Sequence, residues 1–120
     1  MFLCNSCTYS SVSNMEELTG ISLTGELTLS INDSHWNKFN GNGYRIDIYN
    51  VDKGFIQRKY SVFKSNGFNE YNSDSWTSSE IYPYIKKSHG IYKIYTKDNE
   101  VVYIFINIDN NTIICFLNIL

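Results

Sequence analysis

The stretch GISLTGELTLSIND, residues 20 to 33, alternates apolar and polar side chains from end to end. A period of two places one parity on each face of an extended strand, whereas a helix would spread the apolar side chains around its circumference. We therefore predict a long strand here, with one face in the core and one in water, as in antiparallel sheets. Gly25 falls on the apolar parity, where a long strand often bends or bulges. The side chains predicted to point inward are Ile21, Leu23, Leu27, Leu29 and Ile31, and those predicted to face water are Ser22, Thr24, Glu26, Thr28 and Ser30.

The middle of the chain predicts a hairpin. Residues 44–49 alternate in polarity, and residues 52–54, Asp-Lys-Gly, have the composition of a turn. Residues 55–64 contain β-branched and aromatic side chains, which are enriched in strands. We therefore expect residues 55–64 to return as a strand beside residues 44–49.

The C-terminal part predicts a three-strand meander over residues 91–97, 101–108 and 112–119. The pairs Asp98-Asn99 and Asn110-Asn111 separate these strands, and Asn and Asp tolerate the positive φ of tight turns. The middle strand is apolar on both parities at its start, which indicates that it lies centrally or is covered on both faces.

Together these elements predict a mostly β, antiparallel fold in one domain, residues 1–120. The expected architecture is a curved meander of six to eight strands that forms a small barrel or sandwich. Residues 14–18 and 78–87 predict one or two short helices, and Pro83 limits the second to about a turn.

Composition and charge narrow the possible partners and compartments. Ten basic and twelve acidic residues give a net charge of −2, so nucleic acid is not an expected partner. The three cysteines do not suit a fully paired disulfide scaffold, and the N-terminus lacks the pattern of a secretory signal, so we expect a cytoplasmic protein. Asn107 and Asp109 interrupt the apolar C-terminal stretch before it reaches the roughly 18 residues of a spanning helix, so a membrane is not expected either.

Residues that carry catalysis or bind metals are sparse. Cys4 and Cys7 supply only half of a zinc-ribbon pattern, and we predict neither a metal nor another cofactor. His35 and His89 are the only imidazoles; a pair of them could cleave a phosphodiester by acid–base chemistry, which leaves an enzyme as one alternative. Gly41-Asn42-Gly43 lacks the following Lys of a phosphate loop, and no hydrolase or metalloprotease motif occurs. We therefore predict that the protein is not an enzyme.

The segment from residue 66 to 82 has an unusual composition, with three acids, no base and four aromatic side chains. Aromatic anchors among carboxylates are typical of a surface that binds a basic protein partner. The alternative is that Trp76 and Tyr82 turn inward and close one end of a barrel, while the acidic side chains stay in water. The residues predicted to bind a partner are Glu70, Tyr71, Asp74, Trp76, Glu80 and Tyr82.

A small, slightly acidic chain that is rich in Asn, Ile, Lys, Tyr and Ser and lacks catalytic motifs resembles the bacterial immunity proteins of contact-dependent growth inhibition and other polymorphic toxin systems. The resemblance is one of general character over the whole chain. It implies a cytoplasmic toxin inhibitor that acts by protein–protein interaction, as a monomer or in a 1:1 heterodimer with its toxin. It further implies that Glu70, Asp74 and Glu80 occupy the phosphate-binding site of a basic nuclease toxin, while Tyr71 and Trp76 fill neighbouring pockets.

A second hypothesis is a lipocalin-like or fatty-acid-binding-like carrier of small molecules. A curved antiparallel barrel can hold one apolar ligand, and the aliphatic face of residues 20–33 would then line its cavity. The numerous Tyr and Phe side chains weigh against this hypothesis, because they can fill so small a barrel completely.

Overall fold

The computed structural model describes residues 11–36, 43–72 and 80–119. Within these ranges the elements are α1 (Ser11–Thr19), β1 (Thr28–Trp36), β2 (Gly43–Asn50), α2 (Lys53–Ser65), β3 (Asn69–Asn72), α3 (Tyr82–Ile85), β4 (His89–Lys97), β5 (Glu100–Asn107) and β6 (Thr112–Ile119). The six strands form one sheet in the order β1-β2-β6-β5-β4-β3, and every neighbouring pair is antiparallel. The predicted mostly β, antiparallel class is therefore confirmed.

The C-terminal meander forms as predicted. Strand β5 lies between β4 and β6, with Ile104 opposite Lys93 on one side and Cys115 on the other. The two tight turns contain Asp98 at φ 54° and Asn111 at φ 53°, left-handed conformations that Asp and Asn accept more readily than most residues.

The curved sheet is open within the described residues, because β1 and β3 are its two outer strands and do not pair with each other. The barrel alternative for this part of the chain is therefore wrong, whereas a curved, layered sheet is confirmed. Helices α1 and α3 overlap the two short helices predicted at residues 14–18 and 78–87. No helix in the described ranges has the length and apolar character needed to cross a membrane.

The prediction of a strand over residues 55–64 is wrong, because these residues belong to helix α2. Phe55, Ile56 and Phe63 are buried, and their spacing of seven and eight residues places them on one side of a helix after two turns. Asp52 provides an extended residue before the first turn, and the chain leaves the helix at Gly67, whose φ is 96°. Since α2 removes the expected partner of β2, that strand pairs instead with β1 and with β6.

The long strand predicted over residues 20–33 is only half present, because β1 begins at Thr28. Gly20 and Gly25 have φ values of 72° and 86°, which are incompatible with a continuous strand. The Glu16 carboxylate also accepts the N–H groups of Leu23 and Thr24, at 2.6 Å each, and so fixes a turn. Ile21 and Leu23 are buried as predicted. The β1 residues Leu29 and Ile31 are 53% and 42% exposed, on either side of a register shift.

Both faces of the sheet are covered by apolar side chains. Helices α1 and α2 pack on one face, which we call the two-helix face; its buried residues include Met15, Phe55, Phe63, Ile104 and Ile113. The opposite face carries α3, and its buried residues include Ile46, Ile81, Ile85, Phe105 and Phe116. The central strand β5 contributes to both clusters, in agreement with its apolar character on both parities.

Candidate functional site

An open cleft of about 390 Å³ lies between helix α2 and the edge of the sheet formed by β3 and β4. Residues that are distant in sequence line it: Tyr60 from α2, Glu70 and Tyr71 from β3, His89 and Gly90 from β4, and Ile108 from the turn after β5. The β3–β4 ladder places Glu70 opposite Ile91 and Tyr71 opposite Gly90. The cleft therefore exists because α2 folds back beside the short edge strand.

The wall formed by the start of β4 and the turn after β5 is held by side-chain hydrogen bonds. The Asp109 Oδ2 atom accepts the backbone N–H of His89 at 2.9 Å and lies 2.7 Å from His89 Nδ1. Asn107, which is fully buried, donates to Ser88 Oγ at 3.1 Å and accepts the N–H of Asn110 at 3.2 Å. These bonds fix the shape of the wall before any partner binds.

Gly90 lets β4 and β5 approach closely at the cleft. A Cβ atom built on Gly90 would lie 1.9 Å from the carbonyl oxygen of Ile106 on β5. A contact this short is sterically impossible, so only glycine fits the observed spacing. The position of the cleft wall thus depends on a residue without a side chain.

Glu70 carries an unpaired negative charge at the cleft. Its side chain is exposed, and in the described part of the chain no ion pair or hydrogen bond engages it. The nearby Lys93 ammonium is occupied elsewhere, because it donates to the Asn66 carbonyl at 2.5 Å and lies 4.9 Å from the centre of the Tyr95 ring. Within the described residues, the Glu70 carboxylate at the cleft is therefore not neutralised by a positively charged side chain.

Tyr71 is 6% exposed, and its ring packs at 5.5 Å from that of Phe105. The Ser88 side chain approaches its hydroxyl group, but the contact falls outside the geometry of a normal hydrogen bond. Burial raises the pKa of Tyr71; the Ser88 side chain acts in the opposite direction, and the charge of Asp109 raises the pKa further. The hydroxyl group thus stays protonated at neutral pH, and it is buried on the Phe105 face of the sheet with Ser88 as its neighbouring polar side chain.

The structure brings together only part of the predicted binding surface. Glu70 and Tyr71 both border the cleft, but they are consecutive residues of β3, so their side chains point to opposite faces of the sheet. Glu80 is exposed and Tyr82 is half-buried in α3. Burial, then Asp33 and then Glu80 raise the pKa of Tyr44 on β2, which places Glu80 toward the other end of the sheet from β3. Asp74 and Trp76 lie outside the described residues, so their predicted roles stay predictions.

The two histidines do not form a pair. His35 on β1 stacks on Tyr44 at 4.9 Å and lies 3.0 Å from Asp33, whereas His89 begins β4. Strands β2, β6 and β5 lie between β1 and β4, which corresponds to a lateral separation of about 19 Å at the usual strand spacing. The two imidazoles therefore cannot act together on one phosphodiester.

A buried polar cluster lies beneath α1. Asp47 is 1% exposed, and it pairs with Arg45 at 2.8 Å and accepts the Asn32 amide at 2.5 Å. Ser11 on α1 and Tyr49 on β2 share a hydrogen bond. Burial, followed by the charge of Asp47, raises the pKa of Cys115 to about 12, so this thiol is not a nucleophile at neutral pH.

The described residues contain no group of three His, Cys, Asp or Glu side chains placed to hold a metal ion. The cleft residues that sequence reasoning missed are Tyr60, Gly90, Ile108 and Asp109. Tyr60 lies in a segment whose composition predicts a strand, and the sequence around Asp109 indicates only a break in an apolar stretch. The sequence indicates a role for His89 only as one of a catalytic pair.

Comparisons with protein-family models, curated proteins and solved structures found no match for this chain.

Proposed function

We propose that this chain is an immunity protein, a cytoplasmic inhibitor that binds one cognate toxin domain as a monomer and blocks its active site. The observation that carries the proposal is Glu70, an exposed carboxylate that borders an open cleft and has no partner in the described residues. A basic partner can form an ion pair with this carboxylate without first breaking one in the free inhibitor. Such complementarity accelerates association and discriminates against wrong partners.

The rigidity of the cleft supports the same proposal. Asp109 and Asn107 fix the wall, and the close approach at Gly90 leaves little freedom between β4 and β5. A preformed surface loses less conformational entropy on association, and inhibitor complexes typically involve small backbone movements. The surface around β3 is therefore suited to tight binding of a single partner.

Glu80 and Tyr82 remain partner-binding residues in the proposal, but the interface is centred on β3. A nuclease toxin would present a basic phosphate-binding site, and Glu70 would take the position of a phosphate group there. Because Glu80 lies toward β2, the Glu70→Lys variant tests only the part of the interface at β3.

The experiment is capture of the partner from the native host with the tagged full chain, followed by affinity measurements on two charge-reversal variants. Glu70→Lys removes the free carboxylate, and Glu17→Lys makes the same charge change at an exposed position of α1 that does not line the cleft. We expect Glu70→Lys to weaken binding at least tenfold, about 1.4 kcal/mol, and to reduce its salt dependence. Glu17→Lys should bind within about twofold of the wild type.

Equal affinities for the wild type and Glu70→Lys would contradict an interface at β3. Occlusion is tested separately by measuring the enzymatic activity of the captured partner with and without the inhibitor. A partner that keeps its full activity at saturating inhibitor would contradict the proposed function itself.

A further inference from the structure

The side chain of Ser88 lies where four elements of the fold meet. Ser88 is buried between the end of α3 and the start of β4. Its Oγ atom donates to the Ile85 carbonyl of α3 at 2.5 Å and accepts the Asn107 amide of β5 at 3.1 Å. The Tyr71 hydroxyl group of β3 approaches the same side chain, outside the geometry of a normal hydrogen bond. One hydroxyl group therefore joins α3 to the strands that form the cleft wall.

The neighbours of this hydroxyl group match its bonding capacity. A serine hydroxyl offers one donor and two acceptor positions. The Ile85 carbonyl uses the donor, the Asn107 amide uses one acceptor position, and the Tyr71 hydroxyl group lies beside the oxygen. Because Asn107 is fully buried, its amide would lose this acceptor without gaining contact with water. Removal of the Ser88 oxygen would therefore loosen α3 from β5 and take away the polar neighbour of Tyr71.

The turn that leads into Ser88 is held in a strained conformation. Lys87, directly before it, has a φ of 58°, in the left-handed region that residues with a side chain seldom adopt. Such a conformation persists only where the surrounding structure fixes it. The Lys87 side chain is exposed, so the restraint comes from the backbone on both sides. The Lys86 N–H donates to the Tyr82 carbonyl at 2.9 Å, and the Ser88 N–H donates to the Ile85 carbonyl at 3.2 Å. The turn between α3 and β4 is therefore fixed in one arrangement.

Helix α3 carries part of the proposed binding surface. Tyr82 is its first residue, and Glu80 lies shortly before it. Tyr84 in the same helix donates to Asp33 Oδ2 on β1 at 3.4 Å. The helix is thus attached to β1 by Tyr84 and to the cleft wall by Ser88, on the two sides of the sheet's centre.

We propose that Ser88 is a positioning residue for partner binding. It holds α3 and β3 in one arrangement, so that Glu70, Glu80 and Tyr82 reach the partner as parts of one preformed surface. This inference rests on the proposed function, because it explains how two separate segments contribute to the same interface. A surface that is already ordered loses less conformational entropy on association, which increases the affinity.

Hydrogen–deuterium exchange of the free full chain tests the positioning role without a partner. In Ser88→Ala we expect exchange to accelerate about tenfold or more in peptides that cover residues 69–72 and 81–86, and less than about threefold in β2. Ser11→Ala is the matched control, since it removes a buried hydroxyl group that bonds to Tyr49 beneath α1. It should leave the exchange of both peptides within about twofold of the wild type.

The affinity for the partner captured from the native host tests whether this positioning matters for binding. Ser88→Ala should bind about fivefold more weakly, and Ser11→Ala within about twofold of the wild type. The salt dependence of binding should match that of the wild type in both variants, because neither changes a charge. A merely structural role would lower the free energy of unfolding and leave the affinity of the folded protein unchanged. If Ser88→Ala does not fold, Ser88→Cys replaces it, because a thiol keeps a similar shape but is only a weak donor and acceptor; about threefold effects are then expected.

Unchanged exchange in residues 69–72 or in residues 81–86, or unchanged affinity in the folded Ser88 variant, would each overturn the positioning role. If one of these results occurs while Glu70→Lys still weakens binding of the captured partner, the proposed function stands and only the role of Ser88 is wrong. If both measurements on Ser88 behave as expected while the partner keeps its full activity, the positioning role stands and the immunity function is wrong.

Discussion

Replacing Gly90 by alanine tests the close contact between β4 and β5 on which the cleft depends. The added Cβ would lie 1.9 Å from the Ile106 oxygen, 3.0 Å from the Ile106 carbonyl carbon and 3.2 Å from Asn107 Cα. Since a C···O contact normally measures about 3.3 Å, the two strands must separate by about 1.4 Å at this point. Overpacking strain of about 1–3 kcal/mol and one or two weakened ladder hydrogen bonds of about 1 kcal/mol each give an expected loss of about 3 kcal/mol.

Gly54→Ala is the matched control, because it adds the same methyl group in the first turn of α2. The nearest atom to its Cβ would be Arg58 NH1 at 3.3 Å, the movable end of a long side chain. Alanine is a better helix former than glycine, so we expect a gain of about 0.5–1 kcal/mol. Urea denaturation followed by circular dichroism measures both free energies of unfolding. A loss below about 0.5 kcal/mol for Gly90→Ala would refute the observed packing of β4 on β5.

Three further predictions concern ionisation and the tyrosine hydroxyl group. The pKa of Cys115 rises from 9.0 to about 12 on folding, so the neutral thiol contributes its full share to the free energy of unfolding below pH 9. About 4 kcal/mol of that free energy is lost as the pH rises toward 12. Urea denaturation at several pH values should show a smaller loss in Cys115→Ala than in the wild type. Hydrogen bonds from the Leu23 backbone, then from the Thr24 side chain and backbone, lower the pKa of Glu16 below 4.5. The Glu16 carboxylate therefore stabilises the folded state above pH 4.5, and this stabilisation disappears as the pH falls through the lowered value. Glu16→Gln should reduce the decrease of the free energy of unfolding at acid pH. Tyr71→Phe should increase the free energy of unfolding by about 1 kcal/mol in the same urea assay, because it removes a buried hydroxyl group whose contact with Ser88 falls outside normal hydrogen-bond geometry. A loss of similar size would show instead that the Ser88 contact is a stabilising hydrogen bond and would contradict this environment.

The C-terminal meander was predictable because its local signals agree with its tertiary surroundings. Asp98 and Asn111 occupy the left-handed positions of the two turns, and the apolar residues between them pack on both faces of the sheet. By contrast, the apolar content of residues 55–64 fits a strand or a helix equally well. The spacing of Phe55, Ile56 and Phe63 distinguishes the two only when it is given more weight than β propensity.

Residues 20–27 show how a strand pattern can arise without a strand. Ile21 and Leu23 are buried because an irregular segment packs them under the sheet, and alternation records their burial but not their backbone conformation. The glycines at positive φ and the Glu16 carboxylate that binds the turn are tertiary features, which a period of two does not reveal.

The candidate site was predicted only where its residues are adjacent in sequence. Glu70 and Tyr71 belong to one acidic, aromatic segment, and their composition indicates a binding surface. Tyr60, His89 and Ile108 join them only because α2, β4 and the turn after β5 meet at the edge of the sheet. Sites assembled from distant segments become visible only when the topology is known.

Hydrogen–deuterium exchange of the protein, free and bound to its captured partner, tests the central proposal that the edge around β3 is the binding surface. We expect slower exchange on binding in peptides that cover residues 69–72, 89–91 and 108–110, and in the part of α2 around Tyr60. In Glu70→Lys at partner concentrations that saturate the wild type, this protection should be largely lost. Protection confined to β1 and β2, with these segments unchanged, would contradict the account.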